Sequence, residues 1–301
     1  MEPVKNFKEL KKHLAQRKKR LRLAVANACD AHTLEAVVEG INTGFIEAGL
    51  TGNRAEIEKL LGKNADSPHI RFIDIAEPKA AAEEAVRLVK SGECDILMKG
   101  LVNTDVILRA ILDKEKGLHS NGSVITYVSC FDIKNYHKML FFSDPAVIPY
   151  PNMEQRIAMI KYAVATAQKF GVAKPKVALI HATEVPNPKI YYMKDYQDIM
   201  ELYQQGRFGN AVIDGPVDIF VAVDKERGAI KKIHSHVLGD ADVLIFPDFD
   251  SANVFYKTVQ TFGQADLAGL LYGADVPVVL TSRSDSTSAK FYSLCMAAVL
   301  A

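Results

Sequence analysis

Short apolar runs rich in β-branched residues alternate with segments of helical periodicity along almost the whole chain. Residues 21–26, 69–75, 95–98, 124–131, 177–181, 217–223, 242–246 and 276–280 are predicted to be buried strands. Between them, apolar positions recur at helical spacing over 33–48, 80–90, 104–114, 153–170, 194–205, 253–263 and 286–300. Strands that are apolar on both faces and alternate with helices predict an α/β fold with mostly parallel sheets flanked by helices. Near the start, Val4, Phe7, Leu10 and Leu14 sit at helical spacing, and the basic residues of 8–22 form the solvated face of that helix. Two crossings interrupt the periodicity. One is the proline-rich stretch 144–151 and the other lies near 263–273. They predict a discontinuous first α/β domain, 1–147 with 270–301, and a second domain over 148–269.

Composition narrows the class. The 301 residues are 49% hydrophobic and 24% charged, with a net charge of +1, an ordinary globular balance that argues for neither a nucleic-acid nor a membrane partner. No apolar run reaches transmembrane length. Cys29, Cys94, Cys130 and Cys295 are widely separated and form no C-x-x-C pair, which suits reduced thiols in a cytoplasmic protein. Motifs for dinucleotide binding, the P-loop, zinc peptidases and the nucleophile elbow are absent.

Sites in open α/β folds lie where strands end and helices begin, so those junctions carry the candidate chemistry. The strand at 276–280 runs into Thr281, Ser282 and Arg283 and then a hydroxyl-rich helix start. A helix N-terminus offers unpaired amides and a positive dipole end, and an arginine beside it can fork onto a phosphate. The same hydroxyls would also serve as ordinary helix caps, with Arg283 paired to a surface carboxylate. At a second junction Lys99 follows a strand, Gly100 permits close backbone approach, and Asn103 or Thr104 can cap the next helix. Lys99 as a plain surface lysine is the competing reading. A third junction holds Asp242, Asp248 and Asp250, but Asp242 lies at the opposite strand end from Asp248, so no shared metal ion is expected. Asn253 and Lys257 stand four apart on one helix face and could reach a ligand together. His234 and His236 lack a third ligand, and no metal site is expected there either.

Taken in order, LMKGLVNT at 97–104, FSDPAV at 142–147, EVPNP at 184–188, DGP at 214–216, GDAD at 239–242, Pro247, Asn253, Tyr256-Lys257 and VLTSR at 279–283 resemble the phosphate acetyl/butyryltransferase family. The Met-Lys-Gly form around Lys99 and the short tail after Arg283 look more like the butyryl branch. The resemblance implies two domains like those of isocitrate and isopropylmalate dehydrogenases, with the active site in the interdomain cleft, and a homodimer. It implies the reaction acyl-CoA + phosphate = acyl phosphate + CoA, without metal or cofactor, coenzyme A being a substrate. It further implies catalytic roles for Arg283, Ser282 and Asp285. Arg283, Lys99, Thr104 and Ser143 would bind phosphate, and Asn187, Asn253 and Lys257 would bind CoA. Several positions depart from the family pattern. Thr126-Tyr127 replaces a Ser-His pair, Ile148 replaces an Asn, and Ile219-Phe220-Val221 replaces Leu-Asp-Asn. Ala289 stands where acetyl-branch enzymes carry the acid associated with the thiol, leaving Asp285 as the nearest substitute. Bulkier residues at Ile148 and Phe220 suggest a more apolar acyl pocket. Two other readings are a nicotinamide- and metal-dependent dehydrogenase on the same fold, and a non-catalytic ligand-binding member.

Overall fold

A computed structural model describes residues 2–120, 122–283 and 285–301. Ser284, in the hydroxyl-rich stretch after Arg283, lies outside the described residues. Along the chain the strands are β1 (Leu21–Ala26), β2 (Ile46–Gly52), β3 (Ile70–Asp74), β4 (Ile96–Lys99), β5 (Thr126–Asp132), β6 (Leu140–Ser143), β7 (Lys176–Ile180), β8 (Val212–Val217), β9 (Val243–Ile245), β10 (Asp266–Tyr272) and β11 (Val278–Val279).

The chain forms two compact units. An N-terminal unit comprises Phe7–Ile125 and Leu267–Ala301, and a middle unit comprises 2–6 and Thr126–Asp266. In the N-terminal unit the strand order is β3-β2-β1-β4-β11-β10, parallel except for the β10–β11 pair. In the middle unit the order is β5-β6-β9-β7-β8, parallel except for β5–β6. The α/β class with mostly parallel strands and flanking helices is therefore as expected. The first passage between units falls at Ile125, earlier than the proline-rich stretch. The reason lies in pairing: β5 bonds to β6 and β6 to β9, so the strand before the prolines belongs with the chain after them.

Local chemistry explains where the elements end. Helix Ala31–Thr43 is capped by Asp30 and closed by Gly44 at φ 96°, so the periodicity that predicts helix through residue 48 instead turns into β2. The apolar run 217–223, predicted as strand, is mostly the short helix Ile219–Val223. The Asp218 side chain accepts the Val221 N–H and starts it, and a short apolar run does not by itself separate strand from buried helix. Helix Phe7–Ala15 buries Phe7, Leu10 and Leu14, with Phe7 stacked on Tyr292 at 4.3 Å, and leaves its lysines outside. Among the described residues no helix is long and apolar enough to cross a membrane.

Candidate functional site

Three strand ends of the N-terminal unit, those of β1, β4 and β11, bring charged side chains together. β1, β4 and β11 are parallel neighbours, so their carboxyl ends open on the same edge. Lys99, the last residue of β4, is only 2% exposed, and its Nζ donates to the Gly100 carbonyl at 3.5 Å and the Thr281 carbonyl at 3.3 Å. Burial pushes the Lys99 ammonium down to about 8, and the neighbouring charges of Lys290 and Arg283 push the same way. Gly100 is required by close packing, because a Cβ there would meet the Asn27 carbonyl oxygen at 2.3 Å. That approach lets Gly100 and Leu101 donate to the Ala26 and Asn27 carbonyls, locking the β1 and β4 loops together.

Arg283 is exposed, and its guanidinium donates to the Asn103 side-chain oxygen. Asn103 is the N-cap of helix Thr104–Ile111 yet makes no side-chain cap bond, because that oxygen faces Arg283 instead. The start of this helix and the guanidinium are thus presented side by side, with Thr104 exposed at the first helical position. Ser282 is exposed, and its N–H donates to the Asp285 carboxylate at 2.7 Å. Asp285 returns its own N–H to the Ser282 carbonyl at 3.3 Å. The carboxylate is largely buried and fastens the loop that carries Ser282 and Arg283.

Sequence reasoning missed two groups in this cluster. Lys290, 2% exposed, donates from Nζ to the Ser282 carbonyl at 3.3 Å and pairs with Asp30 at 3.5 Å. Asp30 caps its helix by accepting the Thr33 N–H at 2.9 Å as well as the Thr33 hydroxyl. Burial works to raise the Asp30 carboxyl, but the Thr33 bonds and the Lys290 charge outweigh it and hold the carboxyl below its usual value. One signal was available, since Lys290 is the single charged residue in the apolar helix Thr287–Leu300. A lone charge in such a helix asks for a buried partner.

The middle unit holds the other expected residues. Ser143 is fully buried, and its hydroxyl donates to the Tyr127 carbonyl at 2.9 Å. Its expected phosphate contact is therefore corrected to a core hydrogen bond. Asn253 donates to the Pro145 carbonyl at 2.9 Å, fastening helix Phe249–Phe262 to the loop after β6. Asn187 is exposed, and its side chain accepts the Lys189 N–H at 3.0 Å in a local turn. Lys257 is exposed on helix Phe249–Phe262. The departures are also located. Thr126, Tyr127 and Ile148 all donate to Asp144, while Ala289 is buried. Phe220 lies beneath the Arg227 guanidinium, 4.2 Å from its ring centroid, and Ile148 is 6% exposed. Neither side chain is thereby assigned to an acyl pocket. Among the described residues no group of three or more His, Cys, Asp or Glu could hold a metal ion.

A family profile described as phosphate acetyl/butaryl transferase matches residues 78–298. Over 298 residues the chain is 38% identical to the phosphate butyryltransferase of Clostridium beijerinckii, covering 99% of this chain and 98% of that one. It is 36% identical to the phosphate acetyltransferase of Thermotoga maritima, over 93% of this chain and 95% of that one. A branched-chain phosphotransacylase from Enterococcus faecalis superposes with a TM-score of 0.82 at 29% identity, over 93% of this chain and 98% of that one. A 4-hydroxythreonine-4-phosphate dehydrogenase from Klebsiella pneumoniae shares the fold, with a TM-score of 0.56 at 11% identity over 93% of this chain and 100% of that one.

Proposed function

We propose, for a chain that belongs to the phosphate acetyl/butyryltransferase family, that it moves a short-chain acyl group, butyryl in type, between coenzyme A and inorganic phosphate. The observation that carries this reading is the convergence of Lys99, Lys290 and Arg283 beside the start of helix Thr104–Ile111. A site with the buried Lys99 ammonium, a guanidinium and open helix amides selects a compact, highly charged anion, and inorganic phosphate is one.

In the forward direction a phosphate oxygen attacks the thioester carbonyl carbon. A C–O bond forms, the C–S bond breaks, and CoA leaves as the thiolate. Arg283 and Lys99 hold the phosphate and orient its attacking oxygen, which removes the entropy cost of a bimolecular encounter. Ser282, on the exposed loop, donates to the oxygen that gains charge at the carbonyl carbon. Asp285 orients Ser282 through the bond already described. Lys257, exposed on its helix, is the cation proposed to meet the CoA phosphates. We further propose a homodimer in the cytoplasm, a reading supported by the family likeness and by free cysteines of which Cys29, Cys130 and Cys295 are buried.

The test is free-thiol release from acetyl-, propionyl-, butyryl- and isobutyryl-CoA, with and without phosphate. Phosphate-dependent release, highest with the four-carbon thioesters, is expected. No release from any of the four would overturn the function, and an acetyl optimum would overturn the butyryl assignment.

The Lys99 ammonium adds a pH dependence. Phosphate binding needs the charged form, so kcat/KM for phosphate is expected to fall as pH rises above about 8. Linkage gives the opposite sign for the unliganded fold. Its lysine is discharged at lower pH than in the unfolded chain, so stability rises from that pH toward the ordinary lysine range. Lys99→Arg keeps its charge throughout, and the alkaline limb should move out of range. A limb unchanged in Lys99→Arg would assign it to another group.

A further inference from the structure

We infer that Lys290 is a positioning residue: with Lys99 it clamps the successive carbonyl oxygens of Thr281 and Ser282, and so holds the backbone that presents Arg283. The inference rests on the reading of Lys99 and Arg283 as phosphate anchors. Lys99 donates to the Thr281 carbonyl and Lys290 to that of Ser282, each at 3.3 Å, and both lysines are 2% exposed. The residues they hold end in an exposed side chain, Arg283, whose fork is useful only when its backbone is fixed. From the other side the Ser282 N–H is held by Asp285. Backbone atoms on both sides of the Ser282 side chain are thus tied before a ligand arrives.

Asp30 completes the device. A buried ammonium without a counter-charge is costly, and Asp30 is fixed for that task by the Thr33 amide and hydroxyl. The charges acting on Lys99 come from three places. They are Lys290 from helix Thr287–Leu300, Arg283 and Asp285 from the loop after β11, and Asp30 from the loop after β1. Lys290 repels the Lys99 proton and Asp30 attracts it. Removing one or the other must shift Lys99 in opposite directions, which a purely space-filling lysine would not do.

The full-length protein and its Lys290→Met, Lys290→Arg and Asp30→Asn variants test this. Asparagine is as good an N-cap as aspartate, so Asp30→Asn keeps the helix start while deleting the charge. Lys290→Met is expected to lower kcat/KM for phosphate by about ten- to a hundredfold, with KM for the acyl-CoA within about twofold, and Lys290→Arg to recover most of the loss. The Lys99 side-chain NMR signal, assigned with Lys99→Arg, should titrate at higher pH in Lys290→Met and at lower pH in Asp30→Asn. This titration needs no turnover, so it reports on the inference even if the wild-type protein transfers no acyl group. A Lys99 titration that fails to move in opposite directions overturns the inference, as does wild-type phosphate efficiency in a folded Lys290→Met. If Lys290→Met does not fold, the titration still decides: Asp30→Asn must lower that of Lys99, while Lys290→Arg, which keeps the charge, must leave it near the wild-type value, and any other outcome overturns the inference.

Discussion

Arg283→Ala is expected to lower kcat/KM for phosphate by at least about a hundredfold, while the acyl-CoA KM changes only a few-fold. The magnitude follows from losing two charge-assisted hydrogen bonds, each worth about 1.5–3 kcal/mol. The guanidinium is exposed, and its bonded side-chain partner is the Asn103 oxygen, which can return to capping helix Thr104–Ile111 when the arginine is gone. Stability should therefore stay within about 1 kcal/mol of the parent. Arg283→Lys keeps the charge without the planar fork and should recover part of the loss. Steady-state kinetics with phosphate varied at saturating thioester measure this. Near-normal phosphate dependence in a folded Arg283→Ala would remove Arg283 from the site.

A comparable free-energy change is expected from Asp144→Ala, but in stability. The Asp144 carboxylate is 1% exposed and accepts from the Thr126 hydroxyl at 2.6 Å and from the amides of Tyr127, Ala146, Val147 and Ile148 at 3.1, 2.8, 2.9 and 3.3 Å. Removing the acceptor strands several donors in the core of the middle unit, at a cost of about 3–5 kcal/mol. Calorimetric unfolding at neutral pH checks it. Asp144→Asn should fall between, since its amide keeps one acceptor but turns an N–H pair toward the remaining donors. A loss under about 1 kcal/mol in Asp144→Ala would show that water reaches those amides.

Much of the architecture was legible in the chain itself. Runs such as 23–26 and 96–98 are apolar on both faces, and only a covered parallel strand or a buried helix accommodates that pattern. The helices 78–90 and 153–169 were equally plain from their spacing. Less readable were elements decided by one capping contact. Asp218 turns the apolar run after Val217 into helix, and Gly44 ends a helix whose periodicity continues past it. The passage between units was misplaced for a related reason. Prolines 145, 149 and 151 mark a break in periodicity, whereas the β6–β9 ladder that joins both sides of them is a tertiary pairing.

The candidate site divides along the same line. By itself the sequence determined that Lys99 and Arg283 follow buried strands and precede helices, because strand ends and helix starts are local patterns. It could not say which strands are neighbours. That β1, β4 and β11 lie side by side, bringing Asp30, Lys99 and Arg283 to one edge, was decided by sheet pairing between residues far apart in the chain. Side-chain fate was likewise tertiary. Ser143 and Lys99 each end a strand, yet the Ser143 hydroxyl closes on the Tyr127 carbonyl while Lys99 joins a cluster of charges. In the sequence Lys290 is one cation on an apolar helix, and only packing sets its ammonium against Asp30 and the Ser282 carbonyl. Local propensity is additive along the chain, but burial and charge coupling depend on which distant residues become neighbours, and only the folded structure supplies them.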